Sequence, residues 1–164
     1  MPATPEHRIG GHMKWVTRER PKVDRVACPW LIKRFIDSNA EFVFLPPSEV
    51  TKFAAETGAI PYDVEGVELT HVGPRCSFDA FLAKYGMVDS ALLEIASIIR
   101  GADTAQLDLA PQAAGLLAIS LGLSRCFKND QEQIQHGFVI YDALYAWAKE
   151  AKDETHTWNP QRVA

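Results

Sequence analysis

Apolar and polar residues change rhythm along the chain, and each change marks an element. Residues 14–18, Lys-Trp-Val-Thr-Arg, alternate and predict a short strand. Proline suits the first position of a helix. Pro29 therefore predicts a helix running to about Asp37, with Cys28 as its N-cap and Trp30, Leu31, Arg34 and Phe35 at helical spacing. Glu41–Leu45 reads as a second strand, ended by Pro46-Pro47. Ser48 can cap a helix from about Glu49 to Thr57, with Gly58 as its stop. Short strands are expected near Ile60–Asp63 and Glu68–His71, with a turn at Glu65-Gly66.

From Ser77 onward the period becomes helical. Phe78, Phe81, Leu82 and Tyr85 predict one amphipathic helix, capped by Ser77 and stopped by Gly86. Ser90–Arg100 predicts a second, ending before Gly101. Pro111–Leu123 is apolar nearly all round, which places a third helix in the middle of the domain. Asp130–Lys149 predicts a fourth, with Ile134, Phe138, Tyr141, Tyr145 and Ala148 on one face. The fold class is therefore α+β: a small mixed sheet with helices, followed by a mainly helical C-terminal half. A break near Gly73-Pro74 would leave two parts each too small to stand alone. Residues 14–150 are expected to form a single domain and 151–164 a loose polar tail. Residues 1–13 lack an apolar signal-peptide core, and Gly11-His12-Met13 resembles a cloning junction, so 1–13 reads as an expression flank.

Composition narrows the class. The chain has 164 residues, 47% of them hydrophobic and 23% charged, which fits one globular domain able to fold without metal or disulfide. Collagen-like, mucin-like and wholly disordered chains are excluded, as is a membrane-spanning helix. The net charge of −4 argues against direct nucleic-acid binding. Three widely spaced cysteines suit a reducing compartment, and the cytoplasm is the expected location. Against that acidic balance, Lys14 to Arg25 carries five basic residues (Lys14, Arg18, Arg20, Lys22 and Arg25) and two acidic ones. It is either a solvated loop or an anion-binding segment.

Three constellations could carry chemistry. In Arg25-Val26-Ala27-Cys28-Pro29, a thiol at a helix start would meet free backbone N–H groups. Such a place binds oxyanions or lowers a thiol pKa; the alternative is a thiol simply buried under the helix. In His71-x4-Cys76-x2-Asp79, the His and Cys suggest zinc or iron, completed by Cys28 or another acid. The plainer reading is a backbone-bonded His beside a helix cap. Arg100, Asp103, Arg125 and Asp142 read as a structural polar network, since a carboxylate at Asp142 beside the apolar face of the last helix needs a partner. No GxGxxG, P-loop, GxSxG, HExxH or CxxC motif is present.

The runs WVTRERPKVDRVACPWLIKRFID, GVELTHVGPRCSFDAFL, IIRGADTAQLDLAPQAAGLLAISLGLSR and YDALYAWAK resemble, in this order, the C-terminal domain of the ChrB chromate-resistance family. The resemblance spans about residues 14–149. Longer members of that family resemble transcriptional regulators with an additional N-terminal segment to which DNA binding would be assigned. It is also found joined to rhodanese-like domains. The resemblance implies a sensor-type or accessory domain for chromate or a sulfate-like oxyanion, bound by Arg18, Arg25, His71 and the Cys28 helix start. Two alternatives stay open. One is a metal site built from Cys28, His71, Cys76 and Asp79. The other is a thiol-based chromate reductase or sulfur-transfer accessory. The Ala-rich third helix and exposed aromatics would allow a homodimer.

Overall fold

The computed structural model describes residues 13–157. The expected flank, apart from Met13, lies outside the described residues, as do 158–164 of the expected tail. Three strands, β1 (Lys14–Arg18), β2 (Glu41–Leu45) and β3 (Ile60–Pro61), form one sheet in the order β2-β1-β3, all parallel. Parallel neighbours need crossovers. Helix α1 (Asp24–Leu31), prolonged by a π-helical turn over Ile32–Ile36, links β1 to β2. Helix α2 (Val50–Thr57) links β2 to β3. The helical half follows: α3 (Ser77–Lys84), α4 (Ser90–Asp103), α5 (Ala113–Cys126) and α6 (Asp130–Ala146). This is the predicted order of a small sheet with helices followed by a mainly helical half, with a sheet that is parallel throughout where a mixed one was expected.

Alternation along β1 divides the interior. Val16 faces Val50 of α2 and Ala59 in a small cluster on one side of the sheet. Trp15 faces the other way into the main core with Trp30, Leu31, Phe78, Phe81, Ile99 and Tyr141. The Trp15 and Phe81 rings lie 5.9 Å apart, and Tyr62 meets Phe81 edge-on at the same distance. Thr17 is fully buried, and its hydroxyl donates to the Tyr62 carbonyl at 2.7 Å. That bond carries the pairing of β1 with the third strand past Pro61, which has no N–H of its own to donate.

Several boundaries differ from the sequence reading. The first helix begins at Asp24, so Cys28 is mid-helix and not a cap. The Val23 carbonyl accepts from the N–H groups of Val26 and Ala27, and the side chain of Asp103, 79 residues on, accepts from the Asp24 N–H. A tertiary cap of this kind overrides the local signal of Pro29. Ser48 lies in a 3-10 turn and makes no cap bond, whereas Gly58 does stop α2 in the left-handed conformation at φ 76°. No strand forms over 68–71; the Leu69 carbonyl instead takes the Asp63 N–H across the loop. Cys76, not Ser77, is the N-cap of α3, with its N–H held by Asp79 at 3.1 Å. Helix α4 passes through Gly101, where a Cβ would lie 2.9 Å from the Gln106 carbonyl and 3.0 Å from the Ala113 Cβ. That glycine admits α5, it does not end α4. Helix α5 is not central: it buries only Ala113, Leu116, Ser120 and Ser124, and leaves Ile119 and Leu121 about half exposed. Among the described residues, no helix is long and apolar enough to cross a membrane.

Candidate functional site

All three strands point their C-terminal ends at one edge, and ligands of open parallel sheets bind in the crevice there. A cleft of about 810 Å³ occupies that edge, lined among others by Arg18, Ser48, Thr51, Asp63, Thr70 and His71. The segments at and just after the three strand ends deliver groups to it, while Asp24 and Asp103 stand behind His71. Arg18 is the last residue of β1, and Ser48 follows β2. Asp63 lies two residues beyond β3, and Asp24 and Asp103 sit at the start of α1 and the end of α4.

The inner end of the cleft gathers carboxylates around one imidazole. His71 Nε2 lies 3.0 Å from Asp103 Oδ2, 3.3 Å from Asp63 Oδ1 and 3.5 Å from Asp24 Oδ2. Asp24 is fully buried and accepts from Ser77 N–H at 2.7 Å, Phe78 N–H at 3.0 Å and the Cys28 thiol at 3.2 Å. It therefore stabilises the N-terminus of α3, where a negative charge is favourable. Asp63 accepts from the Ser77 hydroxyl at 2.7 Å and pairs with Arg18 at 3.0 Å and Arg25 at 3.4 Å. Among the described residues, four that are not glycine have positive φ: Arg20, Val23, Asp63 and Ala105. Asp63 is itself in the cluster, Val23 adjoins Asp24, and Ala105 lies two residues beyond Asp103. Val23 is β-branched and buried, so its φ of 43° is strained. The Tyr141 hydroxyl, donating to the Val23 carbonyl at 2.9 Å, helps hold it there. Strain of this kind concentrates at working sites.

Crowding separates the ionisation of these groups. Burial, opposed by the His71 hydrogen bond, pushes the Asp24 carboxyl up. Burial also acts on Asp63, but hydrogen bonds from His71 and Ser77 and the charges of Arg18 and Arg25 win, bringing it to about 2. Burial and the charges of Asp24 and Asp63 lift Asp103 to about 7. His71 rises to about 10 because Asp24 and Asp63 accept its proton and because Asp103 and Asp24 are negative. The shifts favour the cation at His71 and the anion at Asp63, and disfavour the anion at Asp103. Such separation is typical of functional clusters.

The sequence model of the family described as "ChrB, C-terminal domain" matches residues 15–148. The chain belongs to this family. A curated relative, Protein ChrB of Cupriavidus metallidurans, is 35% identical over 133 residues, which is 80% of this chain and 40% of the relative. The chain thus spans about 40% of the length of the curated relative it matches. No solved structure matches.

In this ChrB C-terminal domain the residues singled out from the sequence fall into separate places. Arg18 and His71 reach the cleft. Arg25 turns inward, to the Arg18 and Glu19 carbonyls and to Asp63. Cys28 and Cys76 are buried, and burial, with the charge of Asp24 next, pushes both thiols up. Asp79 pairs with Arg100 at 3.0 Å, not with His71. Among the described residues, the group placed to hold a metal ion is Asp24, His71 and Asp103. Arg100, Asp103, Arg125 and Asp142 do not form one network: Asp103 meets His71, Asp142 meets Arg34 and the Trp30 indole, and Arg125 is exposed. Asp24 and Asp63 were not singled out. Their signal was faint: Asp24 stands in a basic, otherwise apolar stretch, and Asp63 ends a strand-like run.

The basic segment is also accounted for. Arg20 donates to the Ser124, Phe127 and Lys128 carbonyls at the end of α5 and pairs with Asp130 at 3.4 Å. A guanidinium there neutralises the helix C-terminus. Arg20 and Arg25 are thus internal ties, and Arg18 is the member of the run that lines the cleft.

Proposed function

We propose that this ChrB C-terminal domain binds a small tetrahedral oxyanion, chromate or a sulfate-like ion, in the cleft at the C-terminal ends of the strands. It would serve as a cytoplasmic sensor or accessory domain in chromate resistance. The observation that carries this reading is the placement of Arg18. Of the five N–H donors of a guanidinium, one at Nε and one at Nη2 bind the Asp63 carbonyl and carboxylate, at 2.9 and 3.0 Å. The others are uncommitted among the described residues, on a side chain 37% exposed. The hydroxyls of Ser48, Thr51 and Thr70 line the same cleft. Guanidinium forks and hydroxyls are the groups that recognise tetrahedral oxyanions. A thiol-based reading is less supported, because Cys28 and Cys76 are held protonated and away from solvent.

Titration calorimetry with sulfate and with chromate tests the reading. Arg18→Glu is expected to weaken binding by roughly a hundredfold or more, with an unchanged circular dichroism spectrum. Equal affinity in the variant would contradict the assignment of Arg18.

A further inference from the structure

We propose that Asp24, His71 and Asp103 hold a divalent transition-metal cation at the inner end of the cleft. The donor atoms lie at the right spacing for one ion. Ligand atoms about 2.0 to 2.2 Å from a metal, at tetrahedral to octahedral angles, are roughly 3.0 to 3.6 Å from each other. His71 Nε2 stands 3.0 Å from Asp103 Oδ2 and 3.5 Å from Asp24 Oδ2, and the three donor atoms all lie within 4.8 Å of one another. Asp63 Oδ1, at 3.3 Å from the same nitrogen, is close enough to join or to accept from a metal-bound water. One imidazole nitrogen offers a single proton and cannot satisfy three carboxylate oxygens. A cation can.

A second observation comes from outside the acidic cluster. Tyr62 is fully buried, and its hydroxyl has no hydrogen-bond partner among the described residues. Burial pushes this hydroxyl up, and the fields of Cys28 and Asp63, then of Arg25 and Asp24, act on it. A buried hydroxyl without a partner is costly, and a water on the cation would provide one. The supporting shell is in place as well. Asp24 is oriented by Ser77 and Phe78 N–H groups, and Asp103 by the Asp24 N–H. Such second contacts fix ligand geometry at metal sites. His71 is 41% exposed and lines the cleft, which gives an ion its way in.

One imidazole with two or three carboxylates and no thiolate suits manganese(II), iron(II) or zinc(II). This ligand set differs from the Cys-containing one that the His71–Cys76 spacing suggested. A divalent cation in place of the His71 proton would also raise the charge at the inner end of the cleft. The ion would displace the His71 proton, which leaves the oxyanion reading to Arg18 and the cleft hydroxyls, and the site is tested without an oxyanion.

The test is a titration of the chelator-treated protein with MnCl2 and ZnCl2, followed by calorimetry and, for manganese, by electron paramagnetic resonance. His7→Ala and His12→Ala form the background, so that the N-terminal histidines bind nothing. About one ion per chain is expected. Asp103→Asn, which keeps an acceptor for the Asp24 N–H, and His71→Ala should each weaken binding roughly a hundredfold. Cys76→Ser should bind as the parent does. No binding by the parent, or unchanged binding in both Asp103→Asn and His71→Ala, would overturn the site. Loss of binding in folded Cys76→Ser would overturn the ligand set.

Discussion

Asp24→Ala is expected to destabilise the domain by about 3 to 5 kcal/mol, measured by urea unfolding. Two effects oppose each other. Burial pushes the Asp24 carboxyl up, so the folded state already bears a desolvation cost that alanine would remove. Against this, the carboxylate accepts from the Ser77 and Phe78 N–H groups and the Cys28 thiol, all in a fully buried place. Alanine leaves those donors unsatisfied, at about 1 to 3 kcal/mol for each buried group. It also leaves protonated His71 with one fewer carboxylate. The unsatisfied donors outweigh the relief of desolvation. Asp24→Asn keeps one oxygen acceptor and should lose less than alanine does. An alanine variant within about 1 kcal/mol of the parent would show that α3 does not depend on this cap.

Trp30→Ala should cost a similar amount, about 3 to 5 kcal/mol, for a different reason. Trp30 is 1% exposed and joins α1 to α6. Its ring centroid lies 5.6 Å from Phe35, 6.0 Å from Tyr141 and 5.9 Å from Tyr145, and its indole N–H donates to Asp142 at 2.7 Å. Truncation opens a cavity that these rings cannot close. The hydrogen bond contributes the smaller share, because Asp142 keeps its bidentate pair with Arg34 at 3.0 and 2.9 Å. Trp30→Phe is therefore expected to lose only about 1 to 2 kcal/mol. Equal losses in Trp30→Phe and Trp30→Ala, read from the same urea curves, would place the energy in the N–H bond and contradict the packing account.

Both residues illustrate which parts of the fold were legible from the sequence. Local signals held where the partner was also local. Alternation over Lys14–Arg18 and the Glu-Phe-Val-Phe-Leu run of Glu41–Leu45, closed by Pro46-Pro47, gave the strands, and Gly58 gave the end of α2. The start of α1 was misplaced because its cap, Asp103, comes from 79 residues away. Gly101 has the look of a helix stop in sequence, yet it is a contact point for Ala113. The apolar surface of α5 suggested a central helix, but α4 and α6 cover only one side of it. The site was half legible. His71 and Arg18 stood out by residue type, and Asp103 was noticed with the wrong partners. Asp24 and Asp63 became meaningful only once the parallel crossovers brought β1, β3 and the start of α3 together. Nothing in linear spacing encodes that meeting.

The most direct test of the cleft as the working site is crystallographic. Crystals soaked with selenate and MnCl2 would be measured at the selenium edge and at a wavelength where manganese scatters anomalously. The account predicts one selenium peak beside the Arg18 guanidinium and one manganese peak among Asp24, His71 and Asp103. Peaks confined to other surfaces, with the Arg18 cleft and the His71 cluster free of both elements, would contradict it.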